Sequence, residues 1–246
     1  MTGLGAVLFD LGGTLWEWYP GLTPEGILAT VAPRALRLLP EAQAVLLTPE
    51  SLAEAVRRTY LELEHAACDG DTSPMPNELC VRKALAGLGV TIDPATAEAM
   101  IDALYVSERE TTRLLPFAVD ALAALSASGL RLGIVSNRMY GGERLRGDLS
   151  YFDIGRYFDV VVTSAEVGQM KPHPALFRQA LQELELSPDK VVMVGDDLCC
   201  DVAGALNSHL QAVWVRRPPE RTGDPPAGVS SIKRLDELSE AIDRLR

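Results

Sequence analysis

The stretch AVLFDLGGTLWEW, Ala6 to Trp18, decides how the rest of the chain is read. Its first four residues are apolar without a break, the pattern of a short strand covered on both faces. The run ends on an acid, Asp10, and Gly12, Gly13 and Thr14 follow at once. Glycines in such a turn let backbone N–H groups approach an anion closely and take up conformations other residues resist. A strand, an acid and a glycine turn in that order are what a phosphate-handling loop looks like. A second acid two residues after Asp10, where a proton donor would stand, is missing; the position is Gly12.

Beyond this loop the signals are helical from about residue 22 to 113. TPEGILATV and TPESLAEAVRRTYLELEHA each open with Thr as N-cap, Pro at the first helical position and Glu in the first turn. Asp93-Pro94 repeats the device before ATAEAMIDALYVSERE. CDGDTSPMPN is a loop by composition, and ELCVRKALAGLG a helix ending at glycine. The recurring T-P-E is capping chemistry and not an internal repeat.

After Pro116 helix and strand alternate. PFAVDALAALSASG is a helix that Gly129 stops, LRLGIVSN and FDVVVTSAE are strands, and HPALFRQALQELEL is a helix. DKVVMVGDD is a strand, DVAGALNSH a helix and LQAVWV a strand; RRPPERTGDPPAG is a Pro/Gly loop before a short C-terminal segment and helix. Such alternation predicts an α/β fold, a Rossmann-like parallel sheet sandwiched by helices. Residues 1–17 and 114–246 are expected to form that core, and 18–113 an α-helical domain inserted after the first strand.

Composition narrows the partners. At 246 residues the chain can bury a full core, and 47% hydrophobic with 23% charged residues is ordinary for a globular protein. A net charge of −11 repels phosphodiester backbones, so nucleic acid is not an expected partner. That charge says nothing against a small phosphorylated substrate, which meets local charge only. None of the four cysteines falls into a CxxC pair. No basic-then-apolar leader opens the chain, and no apolar run nears the roughly 20 residues that span a bilayer. A cytoplasmic protein without a membrane partner is the expectation.

In an open parallel sheet, ligands bind at the carboxyl ends of the strands. Four predicted strands end in polar residues there: Asp10, Ser136-Asn137, Thr163-Ser164 and Asp196-Asp197. One such ending is ordinary turn chemistry. Four in one chain, three of them typed for phosphate or metal, point to a site.

At these residues the chain resembles the haloacid dehalogenase (HAD) superfamily, in its phosphatase-like branch with a helical cap after the first strand. FDLGGTL, IVSN, MKPHPALF and VGDDLCCD match its four motifs in order and spacing, from residue 5 to about 215. The resemblance implies a phosphoric monoester hydrolase acting on a small phosphorylated metabolite. Asp10 would be the nucleophile that forms an aspartyl-phosphate. Ser136 would hydrogen-bond a phosphoryl oxygen, and Lys171 would pair with Asp10 and the phosphoryl group. Thr14 would orient the loop or donate to phosphate. Mg2+, which favours hard oxygen ligands, would be held by Asp10, the Gly12 carbonyl and Asp196, with Asp201 at the ion or just behind it. Asn137 reads as a cap for the loop that follows, with no catalytic role, and His173 as a helix-start residue. Asp197 could face solvent or back the metal acids.

Gly12 is the main departure from the family pattern. In most family phosphatases an Asp there protonates the leaving oxygen and then activates water, help worth about 10²–10⁴-fold. A phosphatase could do without it through good leaving groups or an acid borrowed from the cap or the substrate; Glu17 is one candidate, and a solvated hinge residue is the plainer reading. A dehalogenase needs no such proton, but family dehalogenases use no metal, and GDDLCCD keeps the metal acids. A phosphonatase-like enzyme would need a cap lysine, and Lys83 stands late in that segment. A catalytically weakened protein that only binds a phosphorylated ligand would have no use for an in-line nucleophile. Trp16, Trp18 and Tyr19 could line a pocket mouth or pack the hinge. Arg34, Arg37, Arg57, Arg58, Arg109 and Arg113 could contact anions or simply be solvated.

Overall fold

The structure, a computed structural model, describes residues 3–216 and 224–245. The Pro/Gly loop expected from Arg216 onward therefore lies partly outside the described residues. Strand β1 (Ala6–Phe9) is buried at all four positions, as its unbroken apolar run requires. The chain then passes through β2 (Trp16–Trp18) into a helical stretch and returns through β3 (Thr112–Leu114). These two crossings pair with each other as a small sheet of their own.

The alternation beyond Pro116 builds the large sheet. It uses β4 (Arg131–Ser136), β5 (Val160–Thr163), β6 (Val191–Gly195), β7 (Gln211–Val215) and β8 (Ser230–Ile232). The six strands run in the order β5-β4-β1-β6-β7-β8, and every neighbouring pair is parallel. After β1 the chain fills one side with β4 and β5, then crosses back to lay β6 to β8 on the other. The crevice of such a sheet opens where the order reverses, at the carboxyl ends of β1, β4 and β6.

Strand alternation feeds an apolar layer on each face. Val7, Phe9 and Ile134 pack with Leu122, Leu145, Leu238 and Ile242 on one side. Ala6, Leu8 and Val135 pack with Leu176, Phe177 and Ala205 on the other. Two elements carry no strong local signal. The crossover from β4 to β5 is a helix, Gly142–Tyr151, that begins at Gly141 without a capping side chain. The short C-terminal segment is β8, three residues that become a strand by pairing with β7.

Contacts divide the chain into Met1–Glu17 with Arg113–Arg246, and Trp18–Thr112. The second unit is helical. Its longer helices, Pro24–Leu36, Pro49–Cys68, Asn77–Gly87 and Pro94–Leu104, pack on one another in a closed arrangement. Thr23, Thr48 and Asp93 each accept a hydrogen bond from a backbone N–H of the first turn, so the T-P-E and D-P signals do act as caps. The helix after Asp93 stops at Leu104, where Tyr105 turns extended, and Glu108–Thr111 is a separate turn. Among the described residues no helix is long and apolar enough to cross a membrane.

Candidate active site

The carboxyl ends of β1, β4 and β6 bring their polar residues together. Asp10 follows β1 directly and is nearly buried. Ser136, the last residue of β4, donates from Oγ to Asp10 Oδ1 at 3.0 Å. Asp196 follows β6, and the chain then winds through a π-helical turn, Leu198–Ala203, that carries Asp201 back against the strand. Asp10, Asp196 and Asp201 can each present a carboxylate oxygen within 4.8 Å of the others.

Lys171 is the cation of this cluster. It lies 2% exposed, and its ammonium donates to Asp10 Oδ1 at 2.8 Å, Asp201 Oδ1 at 2.6 Å and the Val135 carbonyl at 2.8 Å. Burial by itself would lower its pKa, but Asp10 and Asp201 more than offset that, so the ammonium is held above its ordinary range. Burial is also the largest influence on Asp201. Lys171 pulls against it, Asp10 and Asp196 add to it, and the carboxyl is pushed up to about 8.

The loop after β1 is laid against Asp196. Thr14 is fully buried and its Oγ1 points to Asp196 Oδ1 at 3.4 Å. Gly13 has φ +77, and a β-carbon there would run into the Asp196 carboxylate. Gly12 is the opposite case: a β-carbon would meet no atom within 4 Å. Asp197 turns away from the acids and caps the π-helical turn, its Oδ1 accepting from the N–H groups of Cys199 and Cys200 at 2.8 Å each. Its own N–H donates to Asp201 Oδ2 at 3.0 Å. His173 is the N-cap of helix Pro174–Leu184, its Nδ1 accepting from the N–H of Ala175.

Other sequence candidates fall outside the cluster. Ser164 holds the loop beyond β4, its Oγ bonding both backbone groups of Arg138, and Thr163 Oγ1 donates to Glu166 in the turn after β5. Trp16 is buried beside Phe152, with the Arg138 guanidinium over its ring, and so belongs to the core packing; Trp18 and Tyr19 are exposed. Glu17 accepts from Arg113 Nε at 3.1 Å and Nη2 at 2.9 Å. In the helical unit, Arg57 and Arg58 face Glu25 and Glu62, and Lys83 is exposed on its helix. One residue at the site went unread in the sequence, and another has a contact that its reading did not include. Trp214 donates from its indole N–H to the Asp196 carbonyl at 3.0 Å, a contact that follows from its register beside Gly195. Asn137, expected to cap the loop that follows, grips the backbone of Lys171, with hydrogen bonds of 2.7 and 3.2 Å.

A parallel sheet ending in a buried Asp–Lys–Asp cluster, with a third acid alongside, fits one class of hydrolase. The chain belongs to the haloacid dehalogenase-like hydrolases, whose family model matches residues 4–209. It is 30% identical over 243 residues to ribulose-1,5-bisphosphate 5-phosphatase of Halopiger xanaduensis, covering 97% of this chain and 98% of that one. It is 31% identical over 246 residues to phosphoserine phosphatase of Thermus thermophilus, covering 96% and 92%. Among solved structures, 2-haloacid dehalogenase from Pseudomonas syringae pv. Tomato shares the fold with a TM-score of 0.65 at 23% identity, over 99% of this chain and 100% of that one. A HAD phosphatase from Thermococcus onnurineus shares it with a TM-score of 0.59 at 24% identity, over 96% and 97%.

Proposed function

We propose that the protein is a Mg2+-dependent phosphatase of small phosphorylated metabolites, working through an aspartyl-phosphate on Asp10. The observation that carries this reading is the gathering of three carboxylates, Asp10, Asp196 and Asp201, two of which, Asp10 and Asp201, pair with the buried Lys171. Three acid groups share the cluster with a single ammonium, so it holds more acids than cations to pair with them. Its donors are all hard oxygens, which suits a divalent cation such as Mg2+. Asp10, the Gly12 carbonyl and Asp196 would hold the ion, with Asp201 behind them. The chemistry it supplies when bound is neutralisation of charge on the transferring phosphoryl group. Support for the ester comes from relatives that are phosphatases of ribulose-1,5-bisphosphate and of phosphoserine. Residues 1–17 and 114–246 form the catalytic core in this reading, and 18–113 the cap that carries substrate choice.

Ser136 and Lys171 both donate to Asp10 Oδ1, which fixes the plane of the carboxylate and leaves attack on phosphorus to Oδ2. As the Oδ2–P bond forms, the bond from phosphorus to the ester oxygen breaks and the alcohol leaves as its alkoxide or takes up a proton. Gly12 offers no proton for it. Water then attacks phosphorus as the Oδ2–P bond breaks, its proton leaves with inorganic phosphate or to solvent, and the Asp10 carboxylate is restored. Lys171 keeps a positive charge beside the reacting oxygens throughout, in a site where water does not screen it.

The test is hydrolysis of an activated aryl phosphate with and without Mg2+, with Asp10→Asn as control. Metal-dependent turnover, reduced on the order of 10³-fold or more in the variant, supports the reading. Turnover that survives Asp10→Asn in a folded protein rejects it. Halide release from a 2-haloacid in place of phosphate release would assign the nucleophile to a different ester.

A further inference from the structure

The chemistry above makes no use of Asn137, yet its side chain is fully committed. Oδ1 accepts the N–H of Lys171 at 2.7 Å, and Nδ2 donates to the carbonyl of the same residue at 3.2 Å. Nδ2 also lies 3.8 Å from Cys200 Sγ, in the turn that carries Asp201. A carboxamide set against both backbone groups of one residue reproduces, with a side chain, the pairing a neighbouring strand would give. Neither a carboxylate nor a hydroxyl of that reach offers one acceptor and one N–H donor in that arrangement.

The placement follows from the period of β4. Ile134 and Ser136 project to one face, Val135 and Asn137 to the other. Val135 belongs to the apolar layer that includes Leu176 and Phe177 of helix Pro174–Leu184, the helix that begins just after Lys171. Ser136 is thus delivered to Asp10 while Asn137 is delivered to the segment bearing the lysine. The strand end then holds Lys171 at both extremities. The Val135 carbonyl takes its ammonium, and Asn137 takes its backbone. A lysine side chain is long and loses much rotamer freedom on burial. The point from which it starts decides where its ammonium can stand.

We propose that Asn137 is a positioning residue: by clamping the Lys171 backbone it sets the reach of Nζ between Asp10 and Asp201. Its kinetic consequence rests on the phosphatase reading; its structural consequence does not. A misplacement of about 1 Å at a reacting group costs on the order of 10²-fold. Asn137→Ala and Asn137→Asp should therefore lower kcat about 10- to 100-fold while KM moves less than about threefold. The aspartate keeps the size and the acceptor but turns a carboxylate oxygen toward the Lys171 carbonyl.

The deciding experiment uses the full chain labelled with ¹⁵N-lysine. It has four lysines, Lys83, Lys171, Lys190 and Lys233, of which Lys171 is 2% exposed. Its buried ammonium is assigned as the side-chain signal lost in Lys171→Met. Both Asn137 variants are expected to shift or broaden that signal and leave the other three in place. A Lys171 signal unmoved in a folded variant overturns the proposal. A kcat that stays at the wild-type value in a protein shown to be an active phosphatase overturns it too. Should the wild type hydrolyse no phosphate ester, the spectra still decide the clamp, so failure of the phosphatase reading is told apart from failure of this one. If Asn137→Ala does not fold, the isosteric Asn137→Asp carries the test.

Discussion

Gly13 and Asp196 stand so close that a β-carbon on the glycine would lie 2.7 Å from the carboxylate carbon. The loop after β1 is laid directly on the acid that ends β6, and φ of +77 at Gly13 turns the chain there. One residue earlier, a β-carbon on Gly12 would project into open space. Two adjacent glycines thus have opposite tolerances.

Gly13→Ala should be damaging on both counts, backbone and contact. A loss of roughly 1–3 kcal/mol in stability is expected from the strained conformation, together with weaker Mg2+ activation as Asp196 is displaced. Urea unfolding and a Mg2+ titration of activity measure the two effects. A variant with wild-type stability and wild-type Mg2+ dependence would contradict the packing described here.

Gly12→Asp should be accepted by the fold, since its φ is not positive and a β-carbon there meets nothing within 4 Å. An acid restored at this point is expected to accelerate hydrolysis of alkyl phosphates by up to about 10²-fold, the low end of general acid catalysis. Aryl phosphates with good leaving groups need little protonation and should gain much less. Equal gains on both ester types would mean that the aspartate is not working as an acid.

The Asp201 carboxyl gives the metal-free protein a distinctive pH dependence. Its pKa is raised by burial, Asp10 and Asp196, with Lys171 opposing, from 3.8 to about 8. Between those values the folded chain keeps a proton that the unfolded chain has lost, so stability falls as pH rises through the window. Lys171, raised above 10.5, contributes fully throughout that range and adds no slope. Unfolding free energy without metal is expected to drop by about 1 kcal/mol or more from pH 5 to pH 8. Saturating Mg2+ should flatten the slope, because a bound cation favours the ionised carboxylate. Urea melts at both pH values, with Mg2+ or a chelator, check this; stability that climbs with pH in the chelated protein would refute it.

Glu17 is not expected to replace the missing acid. Its Oε1 accepts two hydrogen bonds from Arg113, in a pair that ties the two chain crossings together. Glu17→Gln should change kcat by less than about threefold and stability by under about 1 kcal/mol, as befits a partly exposed ion pair. A pH–rate profile that loses its acid limb in this variant would show that Glu17 donates the proton after all.

Much of this is legible in the sequence. Asp10, Ser136 and Asp196 stand at strand ends, Lys171 just before a helix and Asp201 in the turn that follows β6, and strand alternation with parallel topology sends such positions to one edge. The caps at Thr23, Thr48 and Asp93 were equally readable, because capping is chemistry between residues three apart. Helix Gly142–Tyr151 and strand β8 were not. The first opens on glycines without a cap, and the second is three residues long. Each is stabilised by what it packs against or pairs with.

The sequence by itself determined which residues could act, because local order along the chain sets strand, turn and cap. Only the tertiary structure decided what each side chain does. It turned Thr14 to Asp196, Asp197 to the backbone of its own turn, Glu17 to Arg113 and Asn137 to Lys171. The physical reason is separation. Asn137 and Lys171 are 34 residues apart, and Thr14 and Asp196 182. Hydrogen bonds between such residues depend on the register of parallel strands and on which face each side chain takes, and neither is written in the neighbouring residues.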